Sequence, residues 1–255
     1  MQDRFEIELG NHDYIVALAG NPNTGKSTLF NAFTGLRQHT GNWPGKTVIR
    51  AEGTLRYDEK RYKLIDLPGA YSLIAEGTDE QIARDFVLFG KPDCVVVVVD
   101  ATNVERNLAL TLQILEVTGR VVVALNLIDE AQRRGIGVDA EKLSAELKVP
   151  VIPTVARDKQ GLVELAAAIA DVCAGKTVAA LRKQTFEPAL ESAVTELERL
   201  VDSVIPGVPN ARWIAIRLLE GDESVRQGLL NDEFSARSTG PPSVDGIGVP
   251  SEVTS

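Results

Sequence analysis

Short apolar runs alternate along much of the chain with segments in which apolar residues recur every three or four positions. The runs have the length of buried strands, whereas the recurring pattern is that of one helix face. The predicted strands are Tyr14–Ala19, Val48–Arg56, Arg61–Ile65, Cys94–Val99, Val121–Leu125 and Val151–Val155. The predicted helices are about Lys26–Thr34, Asp79–Phe89, Val104–Thr118, Ala140–Leu147 and Leu162–Cys173. This alternation predicts an α/β fold, with helices covering a mostly parallel sheet.

Two details refine the predicted sheet. The short polar segment Tyr57-Asp58-Glu59-Lys60 suits a hairpin between the second and third strands, so one edge strand should be antiparallel. The strand Cys94–Val99 is apolar throughout, which is typical of a strand buried on both faces at the centre of a sheet.

The pattern changes after Gly175. Apolar residues fall at helical spacing from Pro188 to Val204, a break rich in Pro and Gly follows, and Ala211–Glu220 resumes as an apolar-rich helix. We therefore predict a first domain over residues 1–175 and a small all-α domain over 176–235. Residues 236–255 are expected to be a flexible tail or a cloning remnant.

A phosphate-binding pattern lies between the first predicted strand and the first predicted helix. Residues 20–27 match G-x-x-x-x-G-K-[ST], in which the glycines turn the backbone N–H groups toward phosphates. Lys26 would supply an ammonium group for the β and γ phosphates, and Ser27 a hydroxyl for Mg²⁺. An ordinary glycine-rich turn is the alternative, but the full match disfavours it. The predicted nucleotide-binding residues here are Gly20, Asn21, Pro22, Asn23, Thr24, Gly25, Lys26, Ser27 and Thr28.

A D-x-P-G motif follows the third predicted strand. Asp66 would hold Mg²⁺ through a water molecule, and the N–H of Gly69 would reach the γ-phosphate because no side chain stands in the way. The motif alone is a weak turn signal. Its position at a strand end downstream of the phosphate loop favours the functional interpretation.

An N-x-x-D motif closes the fifth predicted strand. Asp129 would accept hydrogen bonds from guanine N1 and N2, and Asn126 would fix the loop. Adenine lacks that donor pair and would leave a buried carboxylate unpaired. The same motif also serves as a helix cap, but its position and company favour guanine.

Composition limits the classes of partner. The 255 residues carry a net charge of −9, which argues against extended contact with nucleic acid because such binding depends on Lys and Arg. Cys94 and Cys173 form no C-x-x-C pair and are expected in the core. The charged N-terminus and the short apolar runs predict a soluble chain without a signal segment.

Three segments together resemble the cytosolic N-terminal region of the FeoB family of bacterial ferrous iron transport proteins. They read GNPNTGKSTLFN at 20–31, TGNWPGKTV at 40–48 and DLPGAYSL at 66–73. The resemblance covers about residues 12–235. It implies a GTP-driven or GTP-gated switch at the cytoplasmic face of the bacterial inner membrane. Its partners would be GTP, GDP and a membrane-spanning Fe²⁺ pathway outside this chain.

The resemblance also assigns roles around the γ-phosphate. It implies that Thr47 contacts Mg²⁺ and the γ-phosphate, which makes Leu36–Thr47 the first switch loop and Asp66–Asp79 the second. Lys26, Thr47 and Gly69 would then be the groups at the transferred phosphate. The alternative is that Thr47 only starts the second strand, where a β-branched residue fits.

Two positions bear on the rate of GTP hydrolysis. Ala70 stands where Ras-like enzymes carry a glutamine that orients water, which predicts slow turnover. Asn23 is similar to the asparagine that helps to bind K⁺ in potassium-stimulated GTPases, where the cation offsets developing charge. We therefore predict a K⁺ site. The alternative for Asn23 is a hydrogen bond that stabilises the loop.

A further guanine-binding segment, residues 154–156, departs from the family pattern. Residues 154–156 read Thr-Val-Ala where the family usually has Thr-Ser-Ala. Ala156 keeps the backbone N–H that would meet guanine O6. Val155 lacks the serine hydroxyl, which predicts a looser loop and faster nucleotide release.

Other functions share parts of this pattern. A translation- or tRNA-modification-type GTPase has the same motifs but would carry a basic RNA-binding appendage. A P-loop ATPase would lack the N-x-x-D motif. A GTP-dependent binding module, with hydrolysis only as a timer, is compatible with the switch interpretation. Assembly into a homo-oligomer is left open.

Overall fold

A sheet of seven strands forms the centre of the part of the chain that the structure describes. The computed structural model describes residues 5–35, 39–74, 77–231 and Phe234. The strands are β1 (Tyr14–Gly20), β2 (His39–Asn42), β3 (Ile49–Tyr57), β4 (Lys60–Asp66), β5 (Cys94–Asp100), β6 (Val121–Asn126) and β7 (Val151–Pro153). Their order is β2-β3-β4-β1-β5-β6-β7, and β3 runs against both of its neighbours. The predicted α/β class is confirmed.

Helices cover both faces of this sheet. They are α1 (Lys26–Thr34), α2 (Thr78–Phe89), α3 (Val104–Val117), α4 (Ile128–Arg133), α5 (Ala140–Leu147), α6 (Leu162–Cys173), α7 (Pro188–Val204), α8 (Ala211–Leu219) and α9 (Glu223–Leu230). A 3₁₀ turn, Ala156–Asp158, follows β7. Leu29 of α1 and Leu165 of α6 pack on one face of the sheet, and Phe86 of α2 and Ile114 of α3 on the other.

The central strand β5 is buried on both faces, as its composition predicts. Val95, Val97 and Val99 join the apolar cluster of α2 and α3, whereas Val96 and Val98 join that of α1 and α6. This division follows from the alternation of side chains along a strand. Val98 also pairs with Gly20, so the rigid centre of the sheet adjoins the phosphate loop.

The predicted hairpin joins β3 to β4. Tyr57 pairs with Lys60 across it. The two turn residues, Asp58 and Glu59, have φ angles of 48° and 60°, as in a type I′ turn, whose twist matches that of the flanking strands. The hairpin therefore makes β3 the antiparallel strand of the sheet.

Three elements, β2, α4 and α9, have no counterpart among the predicted strands and helices. All four residues of β2 are exposed, so no apolar alternation marks the strand, which pairs with β3 inside the predicted first switch loop. The first residues of that loop, 36–38, lie outside the described part of the chain. The second is α4, a short helix that begins within the N-x-x-D motif. In addition, the strand predicted at Val151–Val155 already ends at Pro153.

The segment that carries α7, α8 and α9 contacts α2 through α9 and through the residue before α8. Arg84 Nη1 donates to Ser224 Oγ at 2.6 Å, and Asn210 Nδ2 donates to the carbonyl oxygen of Leu88 at 3.3 Å. Among the described helices, none combines the length and the apolar character needed to cross a membrane. The domain boundaries at 1–175 and 176–235 stay predictions, and the predicted tail 236–255 lies outside the described residues.

Candidate nucleotide-binding site

The phosphate loop turns sharply between β1 and α1. Gly25, the residue before α1, has a φ angle of 85°, a left-handed conformation that glycine adopts without strain. A Cβ atom at Gly20 would lie 2.7 Å from the carbonyl oxygen of Val98. Both glycines are therefore required by the path of the backbone, which leads into the N-terminus of α1, a favourable place for phosphate.

The other predicted residues of this loop divide into buried and exposed side chains. The side chain of Asn21 is buried, and its Nδ2 donates to the carbonyl oxygen of Arg106 on α3 at 3.4 Å. The hydroxyl of buried Thr24 donates to the Asn21 carbonyl oxygen at 3.0 Å. These two side chains hold the shape of the loop. The exposed residues are Pro22, Asn23, Ser27 and Thr28.

Lys26 and Asp66 form an ion pair beside the loop. The Nζ atom of Lys26 donates to Oδ1 of Asp66, and the two side chains are only 10% and 16% exposed. Burial raises the pKa of Asp66 above its ordinary value, and the neighbouring Lys26 ammonium opposes that rise. The predicted phosphate-binding cation and the predicted Mg²⁺-associated carboxylate are thus in direct contact.

The donor set near this ion pair fits Mg²⁺. Asp66 ends β4 and Ser27 lies in the first turn of α1. Carboxylate and hydroxyl oxygens are hard ligands of the kind that Mg²⁺ prefers. Because burial disfavours the charge of Asp66, a further cation beside it would stabilise the carboxylate.

The D-x-P-G segment lies against the phosphate loop. The backbone N–H of Ala70 donates to the carbonyl oxygen of Gly20 at 3.2 Å. A Cβ atom at Gly69 would lie 3.3 Å from Cγ of Pro22, so glycine lets the two loops approach closely. The structure therefore brings the start of the second switch to the loop that would hold the phosphates.

The same switch is bound to α3 by Gln113 and Arg106, two residues that were not predicted from the sequence. Gln113 Oε1 accepts hydrogen bonds from Ser72 Oγ at 3.0 Å and from the Leu73 N–H at 2.7 Å. The guanidinium carbon of Arg106 lies 4.6 Å from the centroid of the Tyr71 ring. Gln113 and Arg106 lie on a predicted helix, but nothing in their spacing indicated these contacts.

Asn126 joins three segments of the site. Its side chain is buried, and its Nδ2 donates to the carbonyl oxygen of Thr24 at 3.0 Å. Its Oδ1 accepts from the Ala156 N–H at 3.0 Å and from Thr154 Oγ1 at 3.2 Å. One side chain thus links the phosphate loop to the segment of residues 154–156. The Ala156 N–H is already engaged, so a contact with guanine O6 would have to share it.

Asp129 lies in the first turn of α4 and pairs with two arginines. Its Oδ2 accepts from Arg133 Nη2 at 2.9 Å and from Arg157 Nη2 at 3.1 Å. Neither arginine was predicted from the sequence. Arg133 was detectable, because it follows Asp129 by four residues and such pairs meet on a helix. Arg157 is distant in the chain and gave no signal.

The predicted first switch places Thr47 at an exposed turn. The turn is closed by hydrogen bonds from the Lys46 N–H to the Trp43 carbonyl oxygen at 2.9 Å and from the Trp43 N–H to the Val48 carbonyl oxygen at 3.0 Å. Thr47 is exposed, whereas the Trp43 side chain is buried. Within the G-N-W-P-G-K-T segment, the Trp43 side chain is therefore packed in the core whereas that of Thr47 faces outward.

Comparison with known proteins identifies the family. Residues 14–169 match the family model described as ferrous iron transport protein B, and residues 186–238 match that of the FeoB cytosolic helical domain. The Fe(2+) transporter FeoB of Escherichia coli K12 is 44% identical over 211 residues, which are 81% of this chain and 27% of that protein. The one of Methanocaldococcus jannaschii is 44% identical over 220 residues, 86% of this chain and 32% of that protein. The chain thus spans about a third or less of these relatives.

Solved structures agree with this match. The cytosolic domain of Legionella pneumophila FeoB has a TM-score of 0.77 and 37% identity, and the match covers 86% of each chain. The cytosolic domain of the Thermotoga maritima FeoB iron transporter, in a GDP form, has a TM-score of 0.78 and 37% identity, over 86% of this chain and 85% of that one. We conclude that the chain belongs to the FeoB family of ferrous iron transport proteins, and that it carries a G domain with the GTPase fold followed by the helical domain.

Proposed function

We propose that the chain binds GTP and hydrolyses it slowly, as the switch domain of a protein that passes Fe²⁺ through a membrane. The observation that carries this proposal is the position of Asn126, which ties Thr24 of the phosphate loop to the loop of Ala156. A nucleotide whose phosphates lie in the loop would meet the guanine-reading residues at a fixed distance.

Base selectivity tests the nucleotide assignment. Asp129 would accept the two N–H donors of guanine, so GDP should displace a fluorescent GDP analogue whereas ADP should not. Asp129→Asn turns one acceptor into a donor and should move the preference toward xanthine nucleotides. Glu130→Gln is the matched control, since Glu130 lies beside Asp129 on α4 and also pairs with Arg133. Equal binding of ADP and GDP by the wild type would refute the assignment.

The phosphate groups would be held from three sides. Lys26 would exchange its contact with Asp66 for the β and γ phosphates, and the Gly69 N–H would contact the γ-phosphate. Ser27, Thr47 and Asp66 would hold Mg²⁺. This ion would neutralise phosphate charge when bound. The proximity of Lys26 to Asp66 supports this arrangement, because both are already beside the loop.

The proposed hydrolysis is slow and stimulated by K⁺. Ala70 is buried and offers no group that could orient water. Asn23 is exposed in the phosphate loop and would contribute to the K⁺ site. Phosphate release should be faster in K⁺ than in Na⁺ buffer for the wild type and equal in both for Asn23→Ala. Asn11→Ala, a change at an exposed asparagine before β1, should keep the difference. Identical wild-type rates in the two buffers would rule out the K⁺ site.

The helical domain would transmit the state of the switch to the pathway that Fe²⁺ takes through the membrane. Arg84 of α2, the helix after the second switch, donates to Ser224 of α9. Through this contact, a change of nucleotide state in the switch would reach the helical domain. The matched relatives are named Fe(2+) transporters. We infer a location at the cytoplasmic face of the bacterial inner membrane, next to the membrane-spanning part of a longer protein.

A chimaera tests the link to iron. Residues 14–231 of this chain would replace the matching region of the Escherichia coli relative, and uptake of radioactive Fe²⁺ into cells would be measured. We expect uptake that Lys26→Ala abolishes and that Lys142→Ala, at an exposed lysine of α5, leaves intact. Equal uptake by the chimaera and its Lys26→Ala variant would contradict the proposed role.

Hydrolysis as a timer is a second function of the same site. In a timer, slow hydrolysis sets how long the GTP state lasts, so the single-turnover rate of the intact chain should be as slow as its steady-state turnover. A single-turnover rate well above the steady-state rate would instead show that product release limits turnover. The contact between α2 and α9 favours this second function, because it gives the helical domain a means of altering GDP affinity.

A further inference from the structure

The N-terminal segment, residues 5–13, packs against the core of the sheet although it lies outside the family match, which begins at residue 14. Phe5 and Ile7 are only 6% and 4% exposed. Farther along, the His12 ring is bonded to the Leu9 carbonyl oxygen at 2.9 Å and to Thr54 Oγ1 at 2.8 Å. The segment is therefore attached to the sheet along its length.

Phe5 belongs to a triangle of aromatic rings that includes the predicted first switch. Its ring centroid lies 6.2 Å from that of Trp43 and 5.1 Å from that of Phe86, and Trp43 and Phe86 are 5.6 Å apart. The rings meet edge to face, which is a favourable geometry for aromatic pairs. The triangle joins the N-terminal segment, the loop of Thr47 and α2.

Charged side chains of the sheet hold the backbone of this segment. Arg50 Nη1 on β3 donates to the Phe5 carbonyl oxygen at 2.5 Å, and Lys63 Nζ on β4 donates to the Glu8 carbonyl oxygen at 2.6 Å. Both cations also pair with Glu52, at 2.9 Å and 2.7 Å. The position of Phe5 is thus set by strands β3 and β4.

Trp43 is buried among these rings and beneath the Arg50 guanidinium, whose carbon lies 5.6 Å from the Trp43 ring centroid. Its Nε1 is buried without a hydrogen-bond partner among the described residues, and an unpaired buried donor is unfavourable. The contacts with Phe5, Phe86 and Arg50 offset that cost. Loss of the Phe5 ring should therefore release Trp43 from its pocket.

We propose that Phe5 is a positioning residue for the nucleotide switch, holding Trp43 and thereby keeping Thr47, four residues later, on the exposed side of its turn. This inference rests on the proposed role of Thr47 at the γ-phosphate. That role brings Thr47 to the γ-phosphate and Mg²⁺, and the buried Trp43 side chain restricts movement of the turn that carries Thr47. GDP has no γ-phosphate and makes no such demand. The N-terminal segment therefore weakens GTP binding relative to GDP binding.

The test compares the affinities of GDP and a non-hydrolysable GTP analogue for the full chain in Mg²⁺ buffer. For Phe5→Ala, the preference for the analogue over GDP should rise about three- to tenfold, which corresponds to the strength of a lost aromatic pair. The GDP affinity should stay within about twofold of the wild type by the same arithmetic. A merely structural role would weaken both ligands alike. An unchanged or lowered preference overturns the proposal.

Further variants keep the test decisive if Phe5→Ala does not fold. Phe5→Leu keeps an apolar side chain but loses the ring, and Lys63→Ala removes the anchor at Glu8. Both should change the preference in the same direction as Phe5→Ala. Arg56→Ala, at an exposed residue of β3, is the control and should change nothing.

Tryptophan fluorescence gives a readout that needs no nucleotide. Release of Trp43 should increase quenching by acrylamide in Phe5→Ala, whereas Trp213, which is 5% exposed in α8, stays protected. Failure of the wild type to bind any guanine nucleotide would count against the proposed function. Normal GDP binding with an unaltered preference in every Phe5 and Lys63 variant would overturn this inference alone.

Discussion

Asn126 and Thr24 are joined by a hydrogen bond of 3.0 Å between Nδ2 of the asparagine and the backbone carbonyl oxygen of the threonine. The two residues are 102 positions apart. The same Nδ2 would lie 2.3 Å from a Cβ atom at Gly25. The end of β6, which carries the N-x-x-D motif, therefore packs directly against the phosphate loop. An added methyl group or a lost hydrogen bond at this contact should disturb the site.

Gly25→Ala should abolish nucleotide binding. The new Cβ would collide with Asn126, and the φ angle of 85° is strained for alanine, at a cost of about 1–3 kcal/mol for the backbone alone. Gly35→Ala is the matched control at the other end of α1. Gly35 has a φ angle of 60° but open space around its Cβ position, so GDP binding should survive there. Titration calorimetry with GDP checks both, and similar affinities would contradict the prediction.

Asn126→Ala should weaken GDP binding about a hundredfold or more. It leaves the Thr24 carbonyl, the Ala156 N–H and the Thr154 hydroxyl without this partner, and each unpaired buried group costs about 1–3 kcal/mol. Asn107→Ala on α3 removes another buried asparagine, whose Nδ2 donates to the Asn103 carbonyl oxygen instead of to the phosphate loop. We expect that control to lower the free energy of unfolding in urea while the GDP dissociation constant changes little.

The effect of Mg²⁺ on bound GDP should weaken as the pH falls. Burial raises the pKa of Asp66, so its carboxyl group takes up a proton while exposed aspartates are still charged, and a neutral carboxyl does not attract Mg²⁺. Its effect on stability has the opposite sign. Because the folded state binds this proton more tightly, the contribution of Asp66 to folding is largest below its ordinary pKa and declines as pH rises through the raised one.

The measurement for Asp66 is the rate of GDP release with and without Mg²⁺, taken from about pH 7 down to about pH 4, close to the ordinary pKa of an aspartate. The wild type should lose the slowing by Mg²⁺ as the pH falls. Asp66→Asn should show little slowing at any pH. A wild-type Mg²⁺ effect that stays constant over this range would show that the carboxyl group of Asp66 does not hold the ion.

Arg84→Met should loosen the attachment of α9 to α2. The Arg84 side chain is 2% exposed, bonds Ser224 Oγ at 2.6 Å and pairs with Asp85 at 2.9 Å. Removal of one member of a buried charged pair costs about 3–5 kcal/mol. Arg226→Met on α9 removes an exposed pair with Glu223 and should cost less than about 1 kcal/mol. Urea unfolding followed by circular dichroism separates the two expectations.

Val155→Ser should slow the release of GDP. It restores the hydroxyl that the family usually has in this loop, although the buried valine would lose apolar contacts at a cost of about 1 kcal/mol. The backbone of Val155 already pairs with Gln160 in both directions, at 3.1 and 3.2 Å, so the loop keeps its shape. A stopped-flow GDP off-rate equal to that of the wild type would count against the role of the hydroxyl.

The spacing of apolar residues predicted those helices and strands in which apolar and polar side chains recur at regular intervals. The bounds of α5 and α6 agree with the prediction because their apolar faces are continuous and their ends are marked by polar or glycine residues. β2 could not be predicted, since its four residues are all exposed and show no apolar alternation, although they pair with β3. α4 escaped because six residues are too few to show a helical repeat.

The contacts of the candidate site also fall into those that the sequence predicts and those that it does not. Motif spacing placed Lys26 and Asp66 in one site, and the structure shows them in contact. The link from Asn126 to Thr24 and the ion pair of Arg157 with Asp129 connect distant parts of the chain, so no local pattern records them. The burial of Trp43 belongs to this second group, because the rings of Phe5 and Phe86 that cover it come from far along the chain.

The apolar cluster on one face of the sheet has a consequence for heat denaturation. It contains Val97 of β5 and Ile114 of α3 together with Trp213 and Ile214 of α8, so the helical domain shares a core with the sheet. Neither part can melt without exposing apolar surface of the other. Calorimetry should therefore show one cooperative transition for both, and any change that loosens α8 should lower the temperature at which the nucleotide site is lost.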